Sequence, residues 1–123
     1  DTGELRWHFQ HLPNDQWDLD WAFERQIVDV KVGGRERKAV MTVGKMAVLD
    51  VLDAETGQYL FSIDSGIQNV IASIDPATGA KTIDPQRLPD PARPTTFCPG
   101  PSGARAWPPT SLDAGAGRLY LPL

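Results

Sequence analysis

The sequence predicts an all-β fold, and three observations support this. Apolar and polar residues alternate in several short runs, which is the period of a half-buried strand. No window of the chain shows a sustained helical period. Turn residues separate the runs, and one turn of the pattern Asp-x-x-[Thr/Ala]-Gly recurs along the chain. Recurrence of one turn between short strands is typical of a repeat architecture.

Alternation and turn residues place the individual strands. In the first strand, Leu5, Trp7 and Phe9 share one face. Gly33 and Gly34 supply the positive φ values that a tight hairpin requires between the second strand and the third. The fourth strand is apolar enough to be buried on both faces. The predicted strands cover residues 4–10, 25–32, 39–43, 46–52, 59–63, 70–74 and 119–121.

The recurring turn predicts the architecture. It occupies residues 53–57, 75–79 and 113–117, and residues 1–3 look like the end of a further copy. In each copy we expect the aspartate to accept backbone hydrogen bonds and the glycine to be left-handed. The spacing suits a four-stranded propeller blade with an insertion. We therefore predict a partial β-propeller of about two four-stranded antiparallel blades. Because two blades cannot close a ring, we expect residues 1–123 to be a fragment of a single propeller domain.

A proline-rich excursion interrupts the strands between residues 84 and 109. Most of the 11 prolines fall there, and proline lacks the amide hydrogen that a helix interior or a central strand needs. The stretch also carries Phe97, Cys98 and Trp107, which a pure linker would not need. We therefore expect an ordered excursion across a surface. For Cys98, an inert buried thiol is a more common outcome than a reactive one.

Charge and cysteine content exclude several function classes. The formal net charge is −4 with no basic run, so nucleic-acid binding has no electrostatic footprint. No apolar run reaches the length of a membrane span, and residues 1–20 do not resemble a signal segment. The single cysteine excludes an internal disulfide and, with only 2 histidines, a thiolate zinc site.

The most informative stretch is the acidic loop, residues 14–21, with the sequence Asn-Asp-Gln-Trp-Asp-Leu-Asp-Trp. Its carboxylates repel one another unless a cation or separation relieves them, and the loop holds no basic residue. If the loop is extended, Asp18 and Asp20 project to the same side and could converge on one metal ion. Asp15 is expected to stabilise the loop itself. The alternative is a solvated loop whose tryptophans pack as local core.

Other candidate residues are fewer. Lys45 interrupts an apolar run, so it either serves a site or snorkels from a turn to solvent. His8 lies on the face opposite the apolar residues of its strand, and we expect it to be solvated. His11 is a loop residue without a partner that the sequence identifies. Glu24 and Arg25 are most simply a surface pair.

Taken together, these stretches resemble the quinoprotein alcohol dehydrogenases, β-propeller enzymes that use pyrroloquinoline quinone (PQQ). The most specific match is Trp-His-Phe-Gln at residues 7–10 followed by Asp-x-Trp-Asp at 15–18. The similarity covers nearly the whole chain. It continues through residues 33–38 and 51–57 and returns at 94–99 and 107–109.

The resemblance implies roles for four residues. Asp18 matches the family's catalytic aspartate, which lies beside the metal and takes the proton of the substrate hydroxyl. Asp20 matches a second metal-binding carboxylate of the lanthanide-using members. A related aldose-oxidising group also has Asp-x-Asp here, so calcium and lanthanide both stay open. Lys45 matches the cationic residue that contacts the quinone oxygens during catalysis, and Trp107 matches an aromatic residue at the edge of the cofactor.

The resemblance also implies an activity, with two alternatives. The activity is oxidation of an alcohol by hydride transfer to PQQ, with a cytochrome or membrane quinone as electron acceptor, in a periplasmic or secreted enzyme. Ala106 stands where the family usually has asparagine, and residues 45–47 replace an Arg-Asn-Gly-like run. These departures speak for one alternative, a non-catalytic propeller scaffold, and the joint presence of Asp18, Asp20 and Lys45 speaks against it. The other alternative is an aldose (glucose-type) dehydrogenase. The family's Glu and Asn metal ligands and its stacking tryptophan have no counterpart here, so the fragment alone is not expected to be active.

Overall fold

The computed structural model describes residues 2–123, whose regular structure is β apart from one turn of 3-10 helix at Pro85–Arg87. Asp1, the aspartate of the expected partial turn, lies outside the described residues. A central antiparallel sheet has the order β1-β2-β3-β4 and two hairpins follow it, β5 with β6 and β7 with β8. The strands are β1 (Gln26–Val32), β2 (Arg35–Val43), β3 (Val48–Asp53), β4 (Tyr59–Asp64), β5 (Ile71–Ile74), β6 (Lys81–Ile83), β7 (Ser111–Asp113) and β8 (Arg118–Tyr120).

The predicted hairpin between β1 and β2 is present. Val32 pairs with Arg35, so a two-residue loop connects the strands. Gly33 and Gly34 have φ values of 58° and 78°. Two successive positive φ values match the right-handed twist of the strands, and glycine adopts them at little steric cost.

The recurring turn has the hydrogen bonds that the sequence predicts. Asp53 Oδ1 accepts from the amide and the hydroxyl of Thr56, both at 3.0 Å. Asp75 Oδ1 accepts from the same groups of Thr78 at 2.8 and 3.0 Å. Backbone hydrogen bonds lower the pKa of both carboxyl groups. The largest contribution comes from the Thr56 amide for Asp53 and from the Thr78 amide for Asp75. The third turn has Ala116 in place of the threonine, and the Ala116 amide still donates a hydrogen bond to Asp113 Oδ1 at 2.9 Å.

The two faces of the central sheet are covered by different parts of the chain. On one face, Ala39, Met41 and Val51 contact the β7–β8 hairpin and leave an apolar groove of about 790 Å³. A second buried cluster joins the acidic loop to the β5–β6 hairpin, because Trp17 and Leu19 pack there with Val70 and Ile71. The acidic loop is thus part of the core on one side.

The predicted first strand, residues 4–10, was wrong. No strand is formed there, because a strand requires a neighbour to complete its hydrogen-bond ladder and none of the described residues provides one. Leu5 is exposed. Trp7 donates a hydrogen bond to the carbonyl of Ala54, and Phe9 stacks on the ring of Tyr59 in β4. The alternating pattern therefore correctly indicated only two of the three packing residues.

The proline-rich excursion is ordered, as expected. Asn69 binds it through two hydrogen bonds: the Cys98 amide donates to Asn69 Oδ1 at 2.8 Å, and the Asn69 amide donates to the Cys98 carbonyl at 3.0 Å. Arg87 donates to the carbonyl of Thr96. The Cys98 thiol is exposed, which contradicts the more common buried outcome. None of the helical structure in residues 2–123 is long and apolar enough to cross a membrane.

Candidate functional site

The acidic loop is held by its own first carboxylate. Asp15 accepts hydrogen bonds from the amides of Trp17 and Leu19, at 2.9 and 2.8 Å, as expected of a loop-stabilising aspartate. Trp17, Leu19 and Trp21 are buried, so the core fixes every second residue of the loop. Both tryptophans of the loop are therefore packing residues.

The alternate residues of the loop, Asp18 and Asp20, point outwards. Their side chains are 71% and 41% exposed. Asp18 has a φ of 61°, so the loop is not a regular strand at this residue. Aspartate tolerates this left-handed conformation better than most side chains do. The two carboxylates nevertheless face the same side, because both contact one lysine.

That lysine is Lys45. Its Nζ lies 3.1 Å from Asp18 Oδ2 and 3.2 Å from Asp20 Oδ2, and it donates a hydrogen bond of 2.8 Å to the Asp18 carbonyl. The Lys45 side chain is only 16% exposed. The ammonium group of this turn lysine is thus held by two carboxylates and a carbonyl. The lysine relieves the repulsion between the two carboxylates.

The pKa values follow from this geometry. Burial by itself lowers the pKa of Lys45, but hydrogen bonds to Asp18 and Asp20 outweigh it and the pKa is raised. Burial raises the pKa of Asp20, but the Ala22 amide and Lys45 outweigh it and the pKa is lowered. Lys45 is therefore charged and Asp20 ionised at neutral pH.

The backbone around Lys45 is fixed from two sides. The Lys45 amide donates to the Asp20 carbonyl at 3.1 Å. On the other side, the Ala104 amide donates to the Lys45 carbonyl at 2.8 Å. The residue before the lysine is Gly44, where an added Cβ would lie 2.3 Å from the Trp21 ring. The close approach of the indole thus requires glycine.

Trp107 lies on the excursion, two residues after Arg105. Its side chain is 79% exposed. The ring meets Phe23 edge to face, with 5.7 Å between centroids and an interplanar angle of 75°. Ala104 precedes this stretch and bonds to Lys45. Trp107, the predicted cofactor-edge residue, therefore lies three residues after Ala104, which contacts the predicted catalytic residue Lys45.

The donor chemistry fits part of a metal site. Asp18 and Asp20 offer carboxylate oxygens, which hard cations such as calcium and the lanthanides prefer. No group of three or more His, Cys, Asp or Glu side chains that could hold a metal ion occurs within residues 2–123. These two residues would thus supply a share of the ligands, and the others would come from outside the described part of the chain.

Comparison with known proteins identifies the family. Residues 1–97 match the family described as "PQQ: Glucose/ethanol/alcohol dehydrogenase, beta-propeller domain". The chain belongs to this PQQ family. It is 31% identical over 122 residues to the quinohemoprotein alcohol dehydrogenase of Comamonas testosteroni, covering 99% of this chain and 17% of that protein. It is 36% identical over 88 residues to the dehydrogenase subunit of alcohol dehydrogenase (quinone) from Acetobacter aceti, covering 72% of this chain and 12% of that protein.

The structural comparison agrees with the PQQ family. A europium-containing methanol dehydrogenase superposes with a TM-score of 0.89 at 25% identity, covering 97% of this chain and 21% of that one. The prediction of a partial β-propeller is thereby confirmed. The chain spans between about a tenth and about a fifth of the length of these relatives. The roles of Asp18, Asp20, Lys45 and Trp107 in this PQQ-family chain stay predictions.

Sequence reasoning missed an ion pair beside the site. The expected pair of Glu24 with Arg25 is not formed. Glu24 pairs instead with the fully buried side chain of Arg105 at 2.5 Å. Arg25 instead donates to the carbonyl of Phe23. Burial raises the pKa of Glu24, but hydrogen bonds from Arg105 and Thr110 outweigh it and lower the pKa to about 2. Because Arg105 is far from Glu24 in sequence, no local pattern indicates the pair.

Sequence reasoning also missed a buried ionic cluster. Asp50 and Lys81 both have side chains with no exposure, and Lys81 Nζ lies 2.8 Å from Asp50 Oδ2. His11, for which no partner was predicted, contacts the same carboxylate at 2.7 Å. His8 is exposed, as expected. One signal was available, because an aspartate in the middle of a strand buried on both faces needs a cationic partner.

Proposed function

We propose that residues 1–123 form part of a single quinoprotein-type propeller domain in a longer PQQ- and metal-dependent dehydrogenase that oxidises an alcohol. The observation that carries this proposal is the contact of Lys45 with both Asp18 and Asp20. The names of the relatives supply the alcohol as substrate class. A scaffold has no need of two exposed carboxylates arranged around one partly buried ammonium group.

Asp18 is proposed as the catalytic base. Its carboxylate is 71% exposed and therefore open to a substrate. A carboxylate oxygen of Asp18 would accept the proton of the alcohol hydroxyl. When bound, PQQ supplies the acceptor for the hydride of the alcohol carbon, which carries the two electrons of the oxidation, and a metal ion supplies Lewis acidity.

Lys45 and Asp20 support that step in different ways. The raised pKa keeps Lys45 protonated, so its ammonium group would stabilise negative charge on the cofactor oxygens. Asp20 would join Asp18 as a metal ligand. A lanthanide gains more than calcium does from the additional anionic oxygen. The similarity to a europium-containing methanol dehydrogenase supports the lanthanide, while calcium stays the alternative. Trp107 would contact the edge of PQQ.

The acceptor and the location are proposed from the relatives. One is named a quinohemoprotein and another an alcohol dehydrogenase (quinone). We propose that electrons pass from the reduced cofactor to a cytochrome or a membrane quinone, in a periplasmic or secreted enzyme. An aldose in place of the alcohol would leave these roles unchanged.

The test is Asp18→Asn in the full-length parent protein. Loss of the base should lower kcat by about 10²- to 10⁴-fold while PQQ still binds, as measured by steady-state kinetics and absorbance titration. Asp29→Asn is the matched control, because Asp29 is an exposed carboxylate on β1, and it should leave kcat unchanged. Full activity of Asp18→Asn would contradict the assignment. A wild-type parent that binds no PQQ with calcium or with a lanthanide would instead be a scaffold.

The metal assignment has its own arm in the same experiment. Asp20→Ala should keep activity supported by calcium and lose activity supported by a lanthanide. Equal responses with both metals would show that Asp20 is not a selective ligand.

A further inference from the structure

We propose that Arg105 and Glu24 form a positioning pair that holds Lys45 and Trp107 in place at the candidate site. Their role rests on the proposed function, because Lys45 and Trp107 have a catalytic use only in a protein that binds PQQ. The Arg105 side chain is fully buried, and its Nη2 contacts both Glu24 oxygens at 2.5 and 2.7 Å. Because Nη1 bonds to a different acceptor, the Val43 carbonyl, the guanidinium group is held at two points and is fixed in direction as well as in distance.

The pair reaches the lysine through the backbone on both sides of it. Arg105 Nη1 donates 2.7 Å to the carbonyl of Val43, two residues before Lys45. The amides of Ala104 and Arg105 approach the Lys45 carbonyl at 2.8 and 3.4 Å. A Cβ added at Gly103 would lie 2.9 Å from the Lys45 side chain. One arginine therefore fixes the end of β2 and the turn that presents the ammonium group.

The pair reaches the tryptophan through Phe23. The Arg105 guanidinium carbon lies 4.5 Å from the centroid of the Phe23 ring, a cation–π contact. The same ring meets Trp107 edge to face at 5.7 Å. Trp107 is largely exposed, and Phe23 is the aromatic ring that it contacts. Displacement of Arg105 would free both aromatic rings.

Glu24 completes the arrangement on the other side. It accepts from the amide and the hydroxyl of Thr110, at 2.7 and 2.5 Å. Thr110 follows the end of the proline-rich excursion. The carboxylate thus ties Arg105 and the end of the excursion to the segment that leaves the acidic loop. Three segments distant in sequence meet at this pair: residues 23–24, the end of β2, and residues 103–110.

A contribution to stability alone does not account for the pair. Arg105 is fully buried while the Glu24 side chain is 30% exposed, and an ion pair that buries a charge gains little net stability because that charge must be desolvated. Arg105 Nε is buried without a hydrogen-bond partner among the described residues, which adds to that cost. The pair contacts Val43 near Lys45 and Phe23 beside Trp107. We therefore assign it the role of positioning these two residues.

The experiment uses the full-length parent protein with Arg105→Lys and Glu24→Gln. Lysine keeps the charge but lacks the fork, and glutamine keeps the shape but lacks the charge. The control is Arg37→Gln, which breaks a 3.0 Å pair with Asp53 at the opposite end of β2. The dissociation constant of PQQ is measured by absorbance titration, kcat and KM by steady-state kinetics, and the Tm by circular dichroism.

Both variants should bind PQQ about tenfold more weakly or worse and should lose kcat more than they change KM, because the catalytic groups are misplaced. The control should stay within about twofold in both quantities whatever its Tm. Variants that lose Tm but keep PQQ affinity and kcat would overturn the inference, since the pair would then be structural. A wild-type protein that binds no PQQ would overturn the proposed function and this inference together.

Phe23→Leu decides the matter if neither variant folds. It removes the aromatic link to Trp107 and leaves the ion pair intact. Weaker PQQ binding by this variant at an unchanged Tm would support the positioning role. Unchanged PQQ binding would overturn it.

Discussion

Lys45 and Lys81 are both paired with aspartate, in opposite environments. Lys45 lies between Asp18 and Asp20, whose side chains are 71% and 41% exposed. Lys81 pairs with Asp50, and neither of these side chains has any exposed surface. Both groups pair an ammonium group with carboxylates, so they differ in their exposure to solvent and not in their chemistry. The carboxylates of the first group can meet a substrate or a cation, and that of the second cannot.

The buried group is also saturated with hydrogen bonds. The Asp50 carboxylate accepts from Lys81 at 2.8 and 3.0 Å, from His11 at 2.7 Å and from Ser62 at 2.5 Å. Lys81 Nζ lies 5.4 Å from the Trp21 ring centroid, a cation–π contact. The Asp50 carboxylate is thus shielded from solvent with its hydrogen bonds made, and removing one of its partners is costly.

The two groups are connected through Trp21. The indole contacts Lys81, stacks on His11 at 5.3 Å, and lies against Gly44, the neighbour of Lys45. The buried cluster thus supports the turn that presents the exposed one. Three measurements would break or sharpen this comparison.

The largest effect is expected from Lys81→Met. Removing one partner leaves a buried carboxylate uncompensated, which should lower the free energy of unfolding by about 3–5 kcal/mol. Urea unfolding of the full-length parent measures it. The double variant with Asp50→Leu should recover part of the loss, because no charge is then buried. A loss below about 1 kcal/mol for the single variant would show that the cluster is not a closed ionic core.

A smaller effect is expected from pH. Burial raises the pKa of Asp50, but His11, Lys81 and Ser62 outweigh it and the pKa is lowered from 3.8. The stability that ionised Asp50 contributes is therefore complete above pH 3.8 and is lost as the pH falls through the lower folded-state pKa. The difference in unfolding free energy between wild type and Asp50→Asn should shrink in this window.

Asp20→Asn is the matched control for that titration. The pKa of Asp20 is also lowered, but its side chain is 41% exposed, so its difference from wild type should be small at every pH. Urea unfolding at a series of pH values from 5 downwards gives both differences. Equal pH dependence of the two variants would mean that exposure does not separate the groups.

The smallest effect is expected from Lys45→Met. Because both aspartates are solvated, the unfolding free energy should change by about 1 kcal/mol or less, against the much larger loss in Lys81→Met. The same urea experiment compares the two substitutions directly. A cost as large as that of Lys81→Met would place Lys45 among the structural charges. Activity should nevertheless fall, as expected for a residue that is proposed to contact the cofactor.

Local patterns predicted much of this molecule. The Gly33–Gly34 hairpin, the aspartate turns and the strands of the central sheet depend on neighbouring residues, and they are present. The strand expected at residues 4–10 failed, because a strand also requires a partner that the sequence of one segment does not contain. Two separate two-stranded hairpins, β5 with β6 and β7 with β8, follow the central sheet where the second four-stranded blade was expected.

The sequence by itself determined the all-β class, the alternation that turns Asp18 and Asp20 outwards, and the resemblance to quinoprotein dehydrogenases. These depend on spacing along the chain or on short motifs. The tertiary structure alone decided which charges meet. Lys45 reaches the acidic loop, Lys81 reaches Asp50, and Arg105 reaches Glu24 across long stretches of sequence. Coulomb attraction acts through space, so a list of charges cannot say which of them are partners until packing has brought them together and removed the water.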